Sequence, residues 1–169
     1  MSAPLTAKKP FPSTEGLSPD AYSLRIISSA YATPTGELNT ILQYIYQSYF
    51  FEAKGYKDIA EEIEGVAVAE MFHLKTLGKC MLHLGGNPVY TYCPPSMYNF
   101  YSAKYVTYSK GLVFMAEDDV RAEKQAIRTY ERMLCFLKNE RVRSIIERIL
   151  EDERLHLEAF TQILLKLKG

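Results

Sequence analysis

The sequence has no tryptophan and only three cysteines, Cys80, Cys93 and Cys135. The cysteines are odd in number, far apart, and form no Cys-x-x-Cys pair. That argues against a disulfide framework and against a cysteine metal site, and for a reducing, cytoplasmic setting. Neither sign of charge is in excess, because 20 Lys and Arg balance 20 Asp and Glu. Such a balance gives no reason to expect nucleic acid or an acidic membrane as a partner. No apolar run approaches the length of a membrane span. Met1 to Glu15 lack the apolar segment of a secretory signal. Histidine is scarce as well, with three in 169 residues, so the placement of two of them carries information.

What the chain does have is a 47% hydrophobic composition, enough for one domain with a real core. It also has a motif that occurs twice: Glu70-Met71-Phe72-His73 and Glu153-Arg154-Leu155-His156. A Glu and a His three apart on a helix point the same way. Both members of each pair fall on the apolar stripe of their helix. One stripe reads Ile59, Ile63, Val66, Glu70, His73, Leu77, Leu84. The other reads Val142, Ile149, Glu153, His156, Phe160, Ile163, Leu167. Steps of three and four mark one buried face. Carboxylates and imidazoles on such a face need partners, and a metal pair would serve all four.

Taken in order, residues 1–17 carry four separate Pro or Gly breaks and read as a mobile arm. Residues 18–169 read as one domain. Ser18-Pro19-Asp20 starts a short leading helix over Ala21 to Tyr31. Pro34 opens the first bundle helix, to about Ala53, with Glu37, Ile41, Tyr44, Ser48 and Phe51 inward. Lys54-Gly55-Tyr56 is a turn. The second helix runs from about Lys57 to Leu84 and stops at Gly85-Gly86-Asn87-Pro88. Residues 87 to about 103 are rich in Pro and Tyr, lack helical periodicity, and read as a long crossover. The third helix is predicted from Ser102 to Leu137, with Gly111 as a weak point and Ala116, Val120, Glu123, Ile127, Tyr130, Leu134 and Leu137 inward. After Lys138-Asn139-Glu140, the fourth runs from about Arg141 to Leu167. The fold class is therefore all-α: a four-helix bundle of two antiparallel hairpins joined by one long crossover.

The turns test whether the polar groups meet. In an antiparallel hairpin, residues equidistant from the turn sit at one height. The midpoint between Glu37 and Glu70 falls on the Lys54-Gly55 turn, and that between Glu123 and Glu153 on Lys138. Each hairpin thus sets an inward Glu level with a Glu-x-x-His. The candidate metal ligands are Glu37, Glu70, His73, Glu123, Glu153 and His156, the donor set of di-iron and di-manganese carboxylate proteins. Glu37 lies in the first turn of its helix, where it also suits the helix dipole. Glu117 is off the stripe. His83, near a helix end, fits a dipole role. Asp152 is a candidate to orient a ligand His across the bundle, His73 in particular; the plain alternative is a surface aspartate. Tyr44 and Tyr130 face the same core, either as packing or as hydrogen-bonding or redox groups near the metals.

These residues resemble the ferritin-like superfamily over roughly Thr35 to Leu167. Gly36-Glu37-Leu38 with Gln43-Tyr44 and Gln47-Ser48 is similar to the first ligand helix of manganese catalases and related spore-coat proteins. Glu70-Met71-Phe72-His73 leading to Leu84-Gly85-Gly86-Asn87-Pro88 is similar to rubrerythrins and bacterioferritins. Glu123 with Ala126-Ile127 and Tyr130, then Glu153 and His156, resembles rubrerythrin again. The resemblance implies that all six ligand positions carry over. It also implies that the counterpart of Glu153 in manganese catalases is nearer to a base beside the metals than to a ligand. There is no rubredoxin module with paired Cys-x-x-Cys, so a peroxidase reaction would need an external electron donor. No fifth helix follows the bundle, as it does in bacterioferritin.

The expected function is a cytoplasmic oxidoreductase with two Fe or Mn ions that acts on hydrogen peroxide or oxygen, catalase-like or peroxidase-like. Glu153 is the expected proton acceptor. A homodimer or higher homo-oligomer is expected. Two alternatives stand beside this: iron oxidation and storage in a ferritin-like assembly, and a coat protein in which a Tyr-rich crossover cross-links and the site is vestigial.

Overall fold

A computed structural model of the chain describes residues 2–91 and 99–169. Cys93 and the Pro94-Pro95 pair of the crossover lie outside the described residues. Among the described residues five α-helices make the fold: α1 (Ala21–Ile27), α2 (Glu37–Ala53), α3 (Lys57–His83), α4 (Leu112–Phe136) and α5 (Glu140–Lys168). Among the described residues there is no sheet, only an isolated antiparallel bridge between Thr91 and Phe100 in the crossover. This is the all-α ferritin-like bundle that the sequence predicts.

The helices α2 and α3 pack as one hairpin, and α4 and α5 as the other. The hairpins join through α3 against α5 and α2 against α4. Asp20 caps α1, accepting from the backbone N–H of Tyr22 at 3.1 Å and Ser23 at 3.0 Å, a standard use of an N-cap carboxylate. Asn139 caps α5 in the same way, accepting from Val142 N–H at 3.3 Å.

One boundary differs from the sequence reading. The third bundle helix begins at Leu112 rather than Ser102. Gly111 has φ +104°, a conformation outside the helical region that glycine alone adopts readily. It separates α4 from an isolated 3₁₀ turn at Ala103–Tyr105.

The N-terminal arm also differs from expectation. Residues 2–11 lie beside α3 and α5 without regular secondary structure, with a bend at Lys8 and Lys9. Leu5 N–H donates to Gly65 O at 3.0 Å, and Ala7 N–H donates to Asp152 Oδ1 at 2.6 Å. Leu5 and Phe11 pack onto the hydrophobic core. These partners fix backbone groups that composition alone leaves to water.

The core is layered. One apolar cluster gathers Ile27, Leu77, Met81, Tyr130, Ile145 and Ile149 around the α1 end. The other gathers Tyr44, Phe51, Ile63, Val66, Met115 and Phe160 at the far end. Between them, Glu70 and His73 follow Val66 and precede Leu77. Glu153 and His156 lie between Ile149 and Phe160 in the same way. A polar layer therefore sits in mid-bundle between two dry ones.

Candidate metal centre

Four helices supply the polar layer. Glu37 opens α2, Glu70 and His73 share a face of α3, Glu123 stands mid-way along α4, and Glu153 with His156 share a face of α5. All six are buried: Glu37 is 4% exposed and the others 1% or less.

Their donor atoms form two overlapping groups, Glu37, Glu70, His73, Glu153 and Glu70, Glu123, Glu153, His156. Within each group one donor atom per residue lies within 4.8 Å of all the others. Glu70 and Glu153 belong to both groups. Each group adds one further Glu and one His. Such a set would hold a pair of cations, with Glu70 and Glu153 available to both and one further Glu and one His available to each.

Both imidazoles turn Nδ1 inward. His73 Nδ1 is 2.7 Å from Glu70 Oε2, 3.1 Å from Glu153 Oε1 and 3.8 Å from Glu37 Oε2. His156 Nδ1 is 3.2 Å from Glu70 Oε1. The outer nitrogens are held as well. His73 Nε2 is 3.0 Å from Asp152 Oδ2, and His156 Nε2 is 2.9 Å from Leu5 O. Such outer partners set the tautomer and aim of a metal-binding imidazole. Asp152 is buried and faces His73 rather than solvent. It also pairs with Arg148 Nη1 at 2.7 Å. Tyr44 donates its hydroxyl to Glu123 Oε1 at 2.5 Å, and Tyr130 donates to Glu37. Both tyrosines are therefore hydrogen-bond donors to the carboxylate layer as well as core aromatics.

The electrostatics show what this donor set needs. Burial, reinforced by the charges of Glu70 and Glu153, pushes Glu37 well above the usual carboxylate range. Burial and the same two neighbours push Glu123 up. Burial would also raise Glu70, but the charged forms of His156 and His73 outweigh it and hold Glu70 low. Burial opposes protonation of His73, yet Glu70, Asp152, Glu153 and Glu37 together raise it well above the ordinary imidazole value. Without added cations burial and like charge favour the protonated forms of Glu37 and Glu123, and the surrounding carboxylates favour the protonated form of His73. Glu123 Oε2 finds no hydrogen-bond partner, Glu153 Oε1 has the His73 ring nitrogen beside it at 3.1 Å, and buried carboxylate oxygens so poorly matched suit divalent ions. The residues present fit a di-iron or di-manganese cofactor.

Other features were missed or set aside at the level of sequence. Arg148 is 2% exposed, and its spacing of four from Asp152 was the available signal. Gln43 Nε2 donates to buried Asp119 Oδ1 at 2.9 Å; Asp119, four residues before Glu123, shares its helix face. The backbone contribution of Leu5 had no side-chain signal. Glu117 and His83 stay outside the site, Glu117 in an ion pair with Lys168 at 2.7 Å and His83 exposed at the end of α3. A cleft of about 290 Å³ opens between α2 and α4, lined by Thr35, Thr40, Gln43 and Asp118 among others. A much smaller inner cavity shares Thr35 and Thr40 with it and reaches Glu37, Tyr130 and Glu153.

Bundle and donor layer together define a ferritin-like di-metal carboxylate protein. More narrowly, the chain belongs to the rubrerythrin family, whose profile matches residues 34–164. A bacterioferritin from Desulfovibrio desulfuricans is 27% identical over 130 residues, 75% of this chain and 67% of that relative. Among solved structures, bacterioferritin from D. desulfuricans, described with a diiron site, is 26% identical with a TM-score of 0.73. The match covers 88% of this chain and 81% of that one. KatB, a manganese catalase from Anabaena, shares the fold at 24% identity and a TM-score of 0.78, over 96% of this chain and 80% of its own.

Proposed function

We propose that the protein removes hydrogen peroxide, as a di-metal oxidoreductase of the rubrerythrin family whose ions are held by Glu37, Glu70, His73, Glu123, Glu153 and His156. The observation that carries this is the pair of buried donor groups sharing Glu70 and Glu153. When bound, two Fe or Mn ions supply two one-electron changes, matching the two electrons that convert one peroxide into two waters. The protein's part is to hold the ions together and to handle protons. Glu70 and Glu153 offset the repulsion between two dications. His73 and His156 are fixed at their outer nitrogens, so their inward nitrogens stay aimed. Glu153 lines the inner cavity together with Thr40 and Tyr130, and if one of its oxygens stays off the ions that oxygen serves as the proton acceptor of the reaction. Tyr130 and Tyr44 hold Glu37 and Glu123 in place as these respond to changes in charge.

Electrons return from a second peroxide in a catalase cycle, or from an external donor in a peroxidase cycle. Oxygen is the second oxidant the site suits. A reducing cytoplasm fits the free Cys80 and Cys135. No helix among the described residues is long and apolar enough to cross a membrane. Exposed Leu42, Phe50, Met71 and Phe72 on α2 and α3 support a homodimer or larger homo-oligomer.

Metal analysis of protein purified without added metal, beside a peroxide-decomposition assay, tests the reading. The expected result is two Fe or Mn ions per chain and loss of peroxide that stops on chelation. Two bound ions with no peroxide turnover, with or without a reductant, would remove it. The bacterioferritin kinship favours one second reading, iron oxidation and storage. A multi-subunit cage that retains mineral iron would favour that one.

A further inference from the structure

The two imidazoles are held from outside by unlike groups. On α5 the residue before the ligand Glu is Asp152, which reaches across to His73 Nε2 at 3.0 Å. On α3 the residue before the ligand Glu is Ala69, fully buried and with nothing to offer His156. The place of that second carboxylate is taken by a backbone group from far away in sequence, the carbonyl of Leu5, at 2.9 Å from His156 Nε2.

We propose that residues 3–11 are a positioning strap of the metal centre, and that the Leu5 carbonyl does for His156 what the Asp152 carboxylate does for His73. The proposal rests on the ligand role of His156 in the function above. Several observations show a built seat rather than a loose arm. Gly65 lies inside the continuous helix α3, where glycine costs about 1 kcal/mol relative to alanine. A Cβ there would stand 2.8 Å from Ala3 O, too close for the strap to stay. The strap returns a hydrogen bond at the same point, Leu5 N–H to Gly65 O at 3.0 Å. Further along, buried Arg148 donates to Lys9 O at 2.5 Å and Ala7 O at 2.8 Å. Its guanidinium lies over the Phe11 ring at 4.3 Å. Phe11 in turn meets the His73 ring in an edge-type contact, with centroids 5.9 Å apart. The strap thus touches both ligand histidines or their partners and covers the α3–α5 face. The α2–α4 face keeps the cleft.

The two ion positions are consequently unequal. A carboxylate partner makes an imidazole a stronger donor than a carbonyl does, so the position served by His156 depends on the strap and the position served by His73 on Asp152.

The test uses the full chain in four forms: wild type, Gly65→Leu, Ala69→Asp, and the double variant. Mn(II) binding is followed by competition titration and by the magnetic coupling of the ion pair in electron paramagnetic resonance. Trypsin cleavage at Lys8 reports whether the strap is seated. Gly65→Leu is expected to speed cleavage after Lys8, whose side chain is already exposed, by freeing the backbone around it, and to weaken one of the two ions by 10–100-fold, with loss of the coupled signal. In the double variant the Ala69→Asp change supplies the missing carboxylate, so affinity and coupling return while cleavage after Lys8 stays fast. Ala69→Asp alone keeps both ions. Unchanged affinity in Gly65→Leu with faster cleavage after Lys8 overturns the proposal. Equal weakening of both ions without recovery in the double variant also overturns it, because it marks the strap as scaffold only. Should Gly65→Leu fail to fold, wild-type protein labelled with 15N at histidine still decides. The Nε2 proton of His156 is expected to show a nuclear Overhauser contact to Leu5 or Thr6, and its absence overturns the proposal. A wild type with that contact but no ion pair would instead defeat the di-metal reading.

Discussion

His73 is gripped from both ends. Its inner nitrogen faces three carboxylates and its outer one faces Asp152. Asp152→Asn removes the charge of that outer grip and leaves the shape. Metal affinity is expected to fall 10–100-fold, measured by Mn(II) or Fe(II) competition titration; unchanged affinity would mean that Asp152 only packs. Tyr130→Phe removes the donor to Glu37. In metal-free protein this is expected to cost about 1–3 kcal/mol in urea unfolding, and less once ions hold the carboxylate. The six candidate ligands were legible in sequence because Glu and His on an apolar stripe break a strong rule. Asp152 was half legible: a grip on His73 across the bundle was one of two readings, a surface aspartate the other, and the structure selects the first. Its direction depends on the crossing of α5 over α3, which no local pattern encodes. Tyr44 and Tyr130 read as core aromatics, and only the fold shows which oxygen each hydroxyl meets.

At the level of elements, α2, α3 and α5 begin and end within a few residues of their capping and turn signals. The start of α4 was misplaced because residues 102–110 carry nothing that forbids a helix; the break comes from the backbone of Gly111. The strap was illegible for a different reason. It works through main-chain carbonyls and N–H groups, which every residue has, and its one imprint on the sequence is the glycine inside α3. Its anchor gives a prediction at this scale. Arg148→Met leaves Asp152 without its cation and two strap carbonyls without their donor. The expected loss is about 3–5 kcal/mol in thermal or urea unfolding, together with faster tryptic cleavage at Lys8. Loss of stability with Lys8 still protected would place the effect of Arg148 inside α5 alone.

For the whole molecule, acidity and metal work against each other. In metal-free protein Glu37 and Glu123 are raised above the ordinary carboxylate value of 4.5. His73 and His156 are raised above 6.5. A group raised in the folded state contributes stability below its unfolded pKa and loses it as pH climbs through the folded one. Glu70 and Asp152 are held low, so their contribution is lost as pH falls below about 4. Metal-free protein should therefore melt highest in mildly acidic buffer and at lower temperatures as pH rises toward 8. Bound ions displace those protons, so metal-loaded protein should show the reverse slope over the same range. At a free concentration a hundred times its Kd, each ion adds about 2.7 kcal/mol, a rise on the order of 5–10 °C in Tm. Calorimetry of both forms at several pH values checks this; parallel slopes would show that protons and ions do not share the site.

The sharing of Glu70 and Glu153 has one more consequence. Neither donor group can be completed from one hairpin: the first needs Glu153 from α5, and the second needs Glu70 from α3. A chain severed in the crossover would yield two halves, each unable to retain an ion alone. Mixed together with Mn(II) or Fe(II), the halves should reassemble, and a chelator should part them again. The metals would then serve as the rivets between two pieces that the crossover merely keeps in company.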